Sequence, residues 1–478
     1  MRLIDRLLEF KIMMERRPAL VFFPFLTFAL IIRFHSFIPI TLDRDEATYA
    51  VFADHLLNGF ELYKDVQDIK PPGIFLIYSG IQLVFGKSLI AIRFMSALVV
   101  AATGFLLYCF KRRWGLSFES SLLSGFILIL MFNYFFGLSG NTELYFVWFF
   151  ALGLLAFKKA LTWKGYFVSG LLIGIGFIVK QHIAFDFAAL GLFFLFVSIK
   201  QHSFWKNFIP MAVMVAGFVL PYALVHLYFY SIGNWEYYHH ITYVIPGNYA
   251  ASHHLETSLK FNLTALLMYL PALVIAILTW RLMHVPVNFK ILIALLLAFD
   301  LVAINLTGKP FKHYLLQLVI PLSLLAGEGY HLKFLKKLFQ ANVFYKTSAV
   351  LMVCYAICLS VIYKNYRFDS GKELVQYFDN RIEPDDTLFA ADSPSILYWF
   401  FDKRSPTKYV HPTLTVFPYH IKELGIDIKN ELGGILKQKP TYIVVSDRYP
   451  HSWFLDELTA NYDLKADVEK YKVYKIGK

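Results

Sequence analysis

The sequence predicts a mainly α-helical membrane protein with about eleven transmembrane helices and a small α/β domain at its C-terminus. Of its 478 residues, 57% are hydrophobic and 17% are charged, whereas a typical soluble domain is about a quarter charged. Apolar runs recur from Leu20 to about Tyr363, each close to the ~20 residues that a helix needs to cross the hydrocarbon core. After Lys364 these runs stop, and residues 364–478 hold 17 acidic and 17 basic side chains.

The apolar runs locate the predicted spans. Arg16-Arg17 precedes the first run, which has no small-residue cleavage site and is interpreted as an uncleaved signal anchor. Residues 73–86, which follow Pro71-Pro72, are interpreted as a helix along the membrane surface, because an additional span would put Lys111-Arg112-Arg113 outside the cell. The spans are expected at about 19–40, 92–110, 118–138, 143–158, 166–179, 183–199, 208–230, 261–280, 289–308, 315–330 and 344–363.

The basic residues orient these spans. Residues 1–363 hold 29 basic and 17 acidic side chains, so the net charge of +12 belongs to the membrane region. These charges flank apolar segments and form no patch, which indicates membrane topology and argues against nucleic acid as a partner. The cytoplasmic side is then marked by Arg16-Arg17, Lys111-Arg112-Arg113, Lys158-Lys159-Lys164, Lys200-Lys206, Arg281 and Lys333-Lys336-Lys337.

Two domains follow from this topology. Residues 1–363 form the membrane domain, whose first outer loop spans 41–91, and residues 364–478 form a soluble domain outside the membrane. The three cysteines lie in apolar segments, so no disulfide framework or zinc spacing is present. In the C-terminal domain, strand-like runs at 387–391 and 442–446 alternate with helical patterns at 372–378 and 453–462.

The first outer loop concentrates acidic residues. Seven of the 17 carboxylates of residues 1–363 lie between Leu42 and Pro72. Charge is costly in a membrane protein and is kept where it is solvated or used, so we expect the chemistry in this loop. Residues 43–57 have the apolar spacing of an amphipathic helix that ends at Asn58-Gly59. The acidic residues are Asp43, Asp45, Glu46, Asp54, Glu61, Asp65 and Asp68.

Asp45 differs from its acidic neighbours. Asp43 and Glu46 have the spacing of a capping box, whereas Asp45 lies on the apolar stripe of the predicted helix. A carboxylate at such a boundary can take a proton from a bound hydroxyl; a first-turn acid favoured by the helix dipole is the alternative. Lys70 and Arg93, which follow in the chain, suit either a phosphate group or an anchoring role at lipid headgroups.

Further polar residues, at the predicted outer face or within a span, allow two interpretations each. Glu143 begins a span and is either a site residue or a helix N-terminal acid. Lys180-Gln181-His182 occupies a short bend between two spans and is either an interface anchor or a phosphate contact. Asp300, deep in a span, is a functional candidate or packs against Asn305. Adjacent histidines at 239–240 and 253–254 point apart and lack a carboxylate partner, so neither a metal nor a cofactor is predicted.

Several sequence runs in a fixed order resemble a known family. They are DEATYA, YKDVQDIKPPG and FGKSLIAIR in the first loop, GLLIGIGFIVKQ at 170–181, and KPFKHYLLQLVIPLSLLAG at 309–327. Together they resemble the GT-C glycosyltransferases, in particular the bacterial branch of the protein O-mannosyltransferase and aminoarabinose-transferase superfamily. The resemblance extends over most of residues 41–330.

This resemblance implies an integral membrane glycosyltransferase whose donor is a polyprenyl-phosphate-linked sugar and whose reaction inverts the anomeric carbon. In the family the acidic pair of this loop carries catalysis, which makes Asp45 the base that activates the acceptor hydroxyl and Glu46 its support. Glu143 corresponds to the second acidic position. Lys70, Arg93, Lys309 and His313 are expected to hold the phosphate, and Lys180, His182 and Tyr314 to contact the substrate.

The resemblance leaves the acceptor open between a lipid, a glycan and a protein. The expected location is the bacterial inner membrane, with the active site and the C-terminal domain on the periplasmic or extracellular side and membrane lipids as further partners. The rival interpretation is a transporter or lipid flippase, which needs charged residues along a path at the bilayer midplane. Only Asp300 has such a position among the ionisable residues considered.

Overall fold

The computed structural model describes residues 9, 12–134, 137–159, 162–251, 255–282, 285–306, 311–340 and 371–477. The chain divides into two compact units. The helical unit takes in residues 1–36, 93–228 and 249–364, and the loop–tail unit takes in residues 37–92, 229–248 and 365–478. The first outer loop therefore groups with the C-terminal region, while the predicted domain boundary at 363/364 stays a prediction.

Helices dominate both units. In chain order they are α1 (Phe22–Ile32), α2 (Arg44–Leu57), α3 (Gly73–Phe85), α4 (Leu89–Arg113), α5 (Phe118–Met131), α6 (Thr142–Lys159), α7 (Trp163–Phe177), α8 (Ile183–Lys200), α9 (Phe204–Ser231), α10 (Trp235–His239), α11 (Ile245–Ala251), α12 (Leu255–Leu266), α13 (Leu270–Leu282), α14 (Val287–Leu306), α15 (Val319–Ala326), α16 (Lys333–Gln340), α17 (Lys372–Phe378), α18 (Ile396–Phe400), α19 (Pro418–Glu423), α20 (Ile428–Lys437) and α21 (Ser452–Asn461).

Several of these helices suit a membrane. Among the described residues, α4, α8, α9 and α14 are long and apolar enough to cross it by length and composition, and α3, α5 and α13 are shorter apolar helices. The 13 residues of α3 rise about 20 Å, less than the ~30 Å hydrocarbon core, which favours the predicted surface location. The predicted span 344–363 lies outside the described residues, so the number eleven stays a prediction.

Within the described residues, three predicted spans contain more than one helical segment. The span at 19–40 comprises the 3₁₀ turn Pro18–Val21, α1 and the 3₁₀ turn Phe34–Phe37. The span at 261–280 comprises α12, a 3₁₀ turn at Leu267–Tyr269 and α13. Pro271 lies at the start of α13 and has no N–H to offer the preceding turn, which explains the break. The span at 315–330 begins with a 3₁₀ segment, Lys312–Leu318, and continues as α15, where Pro321 occupies the first turn.

Small residues allow close helix packing in the helical unit. Helix α7 packs along α6, and the Ser169 hydroxyl donates a 2.8 Å hydrogen bond to the carbonyl of Gly153. Gly170 of α7 faces the backbone of α9, where a Cβ atom would come within 1.9 Å of the Met214 carbonyl oxygen. Such contacts are typical of membrane helices, which associate through small residues.

Buried charges in the helical unit have protein partners. Lys111 of α4 is fully buried, donates to the Ser124 hydroxyl at 2.9 Å, and forms an ion pair with Glu328. Arg33, likewise buried, donates to the carbonyl oxygens of Gly137 at 2.8 Å and Leu138 at 3.0 Å. Burying a charge is tolerable where such partners replace water.

Asp300, one of the open cases of the sequence, is completely buried in the helical unit, beside Asp186 and Gln317. Asn305, its suggested packing partner, accepts hydrogen bonds from Ser258 at 3.1 Å and Asn262 at 2.8 Å. Asp300 of α14 thus lies in a cluster of polar side chains together with Asp186 of α8 and Gln317 of the 3₁₀ segment Lys312–Leu318.

The loop–tail unit is built around a mixed four-stranded sheet. The strands are β1 (Leu388–Ala390), β2 (Tyr442–Ser446), β3 (Tyr462–Val468) and β4 (Tyr471–Ile476), in the order β1-β2-β4-β3. β1 and β2 are parallel, and the other pairs are antiparallel. Phe389, Ile443, Phe454 and Leu458 belong to the core between the sheet and its helices.

The predictions for this region are confirmed where the hydrophobic pattern was clear. β1 and β2 fall on the predicted strand-like runs, and α17 and α21 fall on the predicted helical patterns. The hairpin of β3 and β4 was not predicted.

Candidate active site

Helix α2 carries the acidic pair of the first loop. The Asp43 side chain accepts a 3.0 Å hydrogen bond from the backbone N–H of Glu46 and so caps the helix. Tyr49 and Phe52 are buried, and Phe52 stacks on Phe75 of α3 with ring centroids 4.6 Å apart. The predicted helix and its capping residue are confirmed.

Asp45 lies in the first turn of α2 between two nitrogen groups. Its Oδ1 atom is 3.3 Å from the Lys70 ammonium and 3.3 Å from Nε2 of His411. The Asp45 side chain is 30% exposed, whereas the adjacent Glu46 is fully buried. A carboxylate that is held beside an ammonium group and is also reachable from solvent can accept a proton from a bound hydroxyl.

Contacts with neighbouring residues hold Lys70 beside Asp45. Its ammonium lies 3.7 Å from Asp68 and 5.2 Å from the centre of the Tyr49 ring, a cation–π contact. The backbone N–H of Lys70 donates to Asp68 at 3.2 Å, and the Tyr63 hydroxyl donates to the Lys70 carbonyl at 2.7 Å. These contacts fix both the backbone and the side chain of Lys70 beside the candidate base.

The C-terminal region contributes histidines to this site that the sequence did not indicate. His411 contacts Asp45, and the Thr413 hydroxyl lies 2.8 Å from Nδ1 of His411. His420 makes a 3.1 Å hydrogen bond to the Thr413 carbonyl. Burial lowers the pKa of His420, and the nearby His411 and Lys70 act in the same direction. No local pattern identifies His411, because its partner is 366 positions away.

A second polar group lies in the helical unit. Glu143, only 1% exposed, begins α6 and accepts a 3.0 Å hydrogen bond from Thr142 and a further bond from Lys180. Nε2 of His313 lies 3.8 Å from the same carboxylate. Lys180 also faces the ring of Tyr314, 4.0 Å from its centre. Four residues named from the sequence, Glu143, Lys180, His313 and Tyr314, thus come together.

The bend between α7 and α8 helps to form this group. His182 packs against Tyr314 with ring centroids 4.7 Å apart. Gln317, which the sequence analysis did not single out, donates to the His182 carbonyl at 3.2 Å and to Asp186 at 2.6 Å. Gln317 therefore joins the bend to the 3₁₀ segment that carries His313 and Tyr314.

The remaining named residues have different positions. Arg93 is largely buried, and its guanidinium lies 3.5 Å from the Leu138 carbonyl. Lys309 lies outside the described residues. Tyr238 of α10, which the sequence analysis did not single out, is buried, and its ring stacks on Phe229 with centroids 4.2 Å apart, which is a packing role. The catalytic and binding roles of all these residues stay predictions.

Comparisons with known proteins bear on the class of this chain. Residues 69–229 match the family described as dolichyl-phosphate-mannose-protein mannosyltransferase. ArnT from Cupriavidus metallidurans, solved bound to undecaprenyl phosphate, is 14% identical, with 94% of this chain and 97% of that chain covered and a TM-score of 0.63. The S. cerevisiae protein O-mannosyltransferase Pmt1-Pmt2 complex bound to the sugar donor is 20% identical over 44% of this chain and 33% of that chain, with a TM-score of 0.37. No curated protein sequence matches significantly.

The chain has a mainly helical, polytopic membrane fold like that of ArnT, and the family match over residues 69–229 indicates a glycosyltransferase. The resemblance inferred from the sequence is confirmed. Residues 69–229 are similar to the dolichyl-phosphate-mannose-protein mannosyltransferases, which use a lipid-phosphate sugar as donor.

Proposed function

We propose that this enzyme transfers a sugar from a polyprenyl-phosphate carrier to a hydroxyl group of a lipid, glycan or protein at the outer face of the membrane. The observation that carries the proposal is the Asp45 carboxylate, which is partly exposed while its Oδ1 atom is held by Lys70. The match of residues 69–229 to a family whose donor is a lipid-phosphate sugar supports the donor class.

In the proposed reaction Asp45 removes the proton of the acceptor hydroxyl. The acceptor oxygen bonds to the anomeric carbon as the carbon–oxygen bond to the phosphate breaks, and the polyprenyl phosphate leaves with the electron pair. Attack opposite the leaving group inverts the anomeric carbon. Asp45, now protonated, returns its proton to water. Glu46 supports Asp45 from the same helical turn.

Cations stabilise the charge that develops on the leaving phosphate. Lys70 suits this role beside Asp45, because an ammonium group has three N–H donors and can serve a carboxylate and a phosphate together. Arg93, Lys309 and His313 are proposed to complete the phosphate contacts. Glu143, Lys180, His182 and Tyr314 are proposed to bind the remainder of the substrate.

The experiment is a transfer assay with purified protein and a panel of polyprenyl-phosphate sugars, in which the released polyprenyl phosphate is measured. Asp45→Asn is expected to lower transfer by about 10²–10⁴-fold, the usual contribution of a general base, while the protein stays folded and membrane-inserted. Asp65→Asn, the same change at an exposed acid of the same loop, is the matched control and should retain activity. Near-normal transfer by Asp45→Asn would overturn the assignment.

The proposed orientation has its own test. The active site and residues 364–478 are expected on the periplasmic or extracellular side of the bacterial inner membrane. A cysteine placed at the exposed position Asp456 should react with a membrane-impermeant thiol reagent added to intact spheroplasts. Labelling that requires disruption of the membrane would place this region in the cytoplasm.

A further inference from the structure

His411 is the point at which the C-terminal region touches the candidate base. It lies between α18 and α19, is 7% exposed, and its Nε2 atom is 3.3 Å from Oδ1 of Asp45. Both residues belong to the loop–tail unit. A buried imidazole facing a partly exposed carboxylate is a specific arrangement, and its chemistry depends on which ring nitrogen carries the hydrogen.

The contacts of Nδ1, on the other side of the ring, determine which nitrogen carries the hydrogen. The backbone N–H of Thr413 lies 3.3 Å from Nδ1 of His411 and can only donate. Nδ1 must therefore offer a lone pair, and in the neutral ring the hydrogen is on Nε2. The Thr413 hydroxyl, 2.8 Å from the same Nδ1 atom, can donate as well. His411 thus presents an N–H group to the Asp45 carboxylate.

Two donors then share one carboxylate oxygen. The Lys70 ammonium and the His411 N–H both approach Oδ1 of Asp45, each at 3.3 Å. Hydrogen bonds from two directions restrict rotation of the carboxyl group. A base whose orientation is fixed before the acceptor binds reaches the productive geometry more often, and errors of about 1 Å can cost 10²-fold in rate.

Several contacts hold the segment around His411 against the first loop. The backbone N–H of Gln67 donates to the Lys408 carbonyl at 2.8 Å, and the hydroxyls of Thr48 and Ser395 lie 3.4 Å apart. Lys87 forms an ion pair with Asp402. The segment 395–413 is therefore attached to α2 and its loop at more than one point, which sets the place of His411.

We propose that His411 is a positioning residue for Asp45, and that the C-terminal region completes the catalytic site by supplying it. This inference rests on the proposed function, because it takes Asp45 as the base. It gives residues 364–478 a direct part in the reaction, in addition to any contact with the acceptor.

The test compares two amide substitutions in the transfer assay. His411→Gln carries an N–H donor about as far as Nε2, whereas His411→Asn is too short to reach Asp45. We expect His411→Asn to lower kcat by about 10- to 100-fold, because a misplaced catalytic group can cost up to about 10²-fold in rate, with the KM for the donor within about twofold. His411→Gln should retain most of the activity. A structural role alone does not separate these two polar variants in this way.

A matched control is His451→Asn in the same region, since His451 bonds to the Thr415 carbonyl at 2.8 Å and not to Asp45. This control should transfer sugar at the normal rate. If Asp45→Asn is inactive but His411→Asn is as active as the unmodified protein, the positioning role is wrong and the proposed function stands. If Asp45→Asn is fully active, the proposed function itself fails, and the role of His411 fails with it.

The tautomer gives a readout that needs no substrate. In protein with ¹⁵N-labelled histidine, the signal lost in His411→Gln is assigned to His411. We expect this signal to show a hydrogen on Nε2 of the neutral ring. We also expect the signal to shift in Asp45→Asn. A hydrogen on Nδ1 in the neutral ring would contradict the arrangement.

Discussion

Glu143 and Lys180 form an ion pair between the beginning of α6 and the bend that precedes α8. Glu143 is almost completely buried and Lys180 is 13% exposed. Their charges therefore depend on each other, because water reaches neither freely and a buried charge needs a partner. His313 and Tyr314 lie against the same pair, so the pair also organises the second polar group of the protein.

The first prediction concerns the stability of this pair. Lys180→Gln leaves a buried carboxylate without its cation and is expected to lower the free energy of unfolding by about 3 kcal/mol, the cost of breaking a buried pair. The double variant Glu143→Gln/Lys180→Gln should recover a large part of the loss, because it removes both charges. Unfolding in mixed micelles measures both. Glu143→Gln alone completes the comparison. A loss in the double variant that equals the sum of the two single losses would show that the two residues are not coupled.

Lys111 and Glu328 provide the second prediction. Lys111→Met removes the ammonium group that also donates to Ser124, and a loss of about 3 kcal/mol is expected. Lys111→Met/Glu328→Gln should be more stable than the single variant. The neighbouring Arg112 is exposed, so Arg112→Met should shift the melting temperature little. A similar shift for both single variants would contradict the internal role of Lys111.

The third prediction tests the close approach of α7 and α9. Gly170→Ala would place a Cβ atom 1.9 Å from the Met214 carbonyl, so the helices must separate and the melting temperature should fall by several degrees, as for an overpacked core. Gly191→Ala in α8 is the matched control, since a Cβ atom at Gly191 meets nothing within 4 Å. That variant should be as stable as the unmodified protein or slightly more so, because alanine favours a helix. Equal melting temperatures for the two variants would exclude the close contact.

Local patterns predicted the parts of the site that depend on local structure. The capped helix at 44–57 follows from its apolar spacing and from Asp43, and the bend at 180–182 follows from polar residues between two apolar runs. The meeting of Asp45 with His411 was beyond such patterns, because no periodicity links residues 366 positions apart. The role of Gln317 was equally hidden within an apolar run.

Other features that the sequence did not predict have a different physical cause. Most of the side chains of β3 are exposed or half-buried, so it lacks the apolar run that revealed β2. Its turn to β4 contains Glu469-Lys470, and Glu469 adopts a positive φ of 55° without the glycine or asparagine that usually indicates such a turn. Lys111 has the sequence position of a cytoplasmic surface charge, yet it is buried against Glu328. Charge patterning indicates the membrane side on which a residue lies and not whether water reaches it.

The fourth prediction concerns pH. Burial lowers the pKa of His420, and His411 and Lys70 lower it further, although the Thr413 carbonyl and Asp68 oppose this. Below the ordinary histidine pKa of about 6.5, the unfolded chain therefore binds more protons at this position than the folded protein. The free energy of unfolding must then rise with pH through this range, and the stability that neutral His420 contributes is lost as the pH falls. His420→Asn should reduce the difference between the melting temperatures measured at about pH 5.5 and 7.5. His202→Asn is the control, because His202 is exposed and asparagine tolerates its positive φ of 49°. A pH dependence that is unchanged in His420→Asn, or reduced equally in His202→Asn, would refute the assignment to His420.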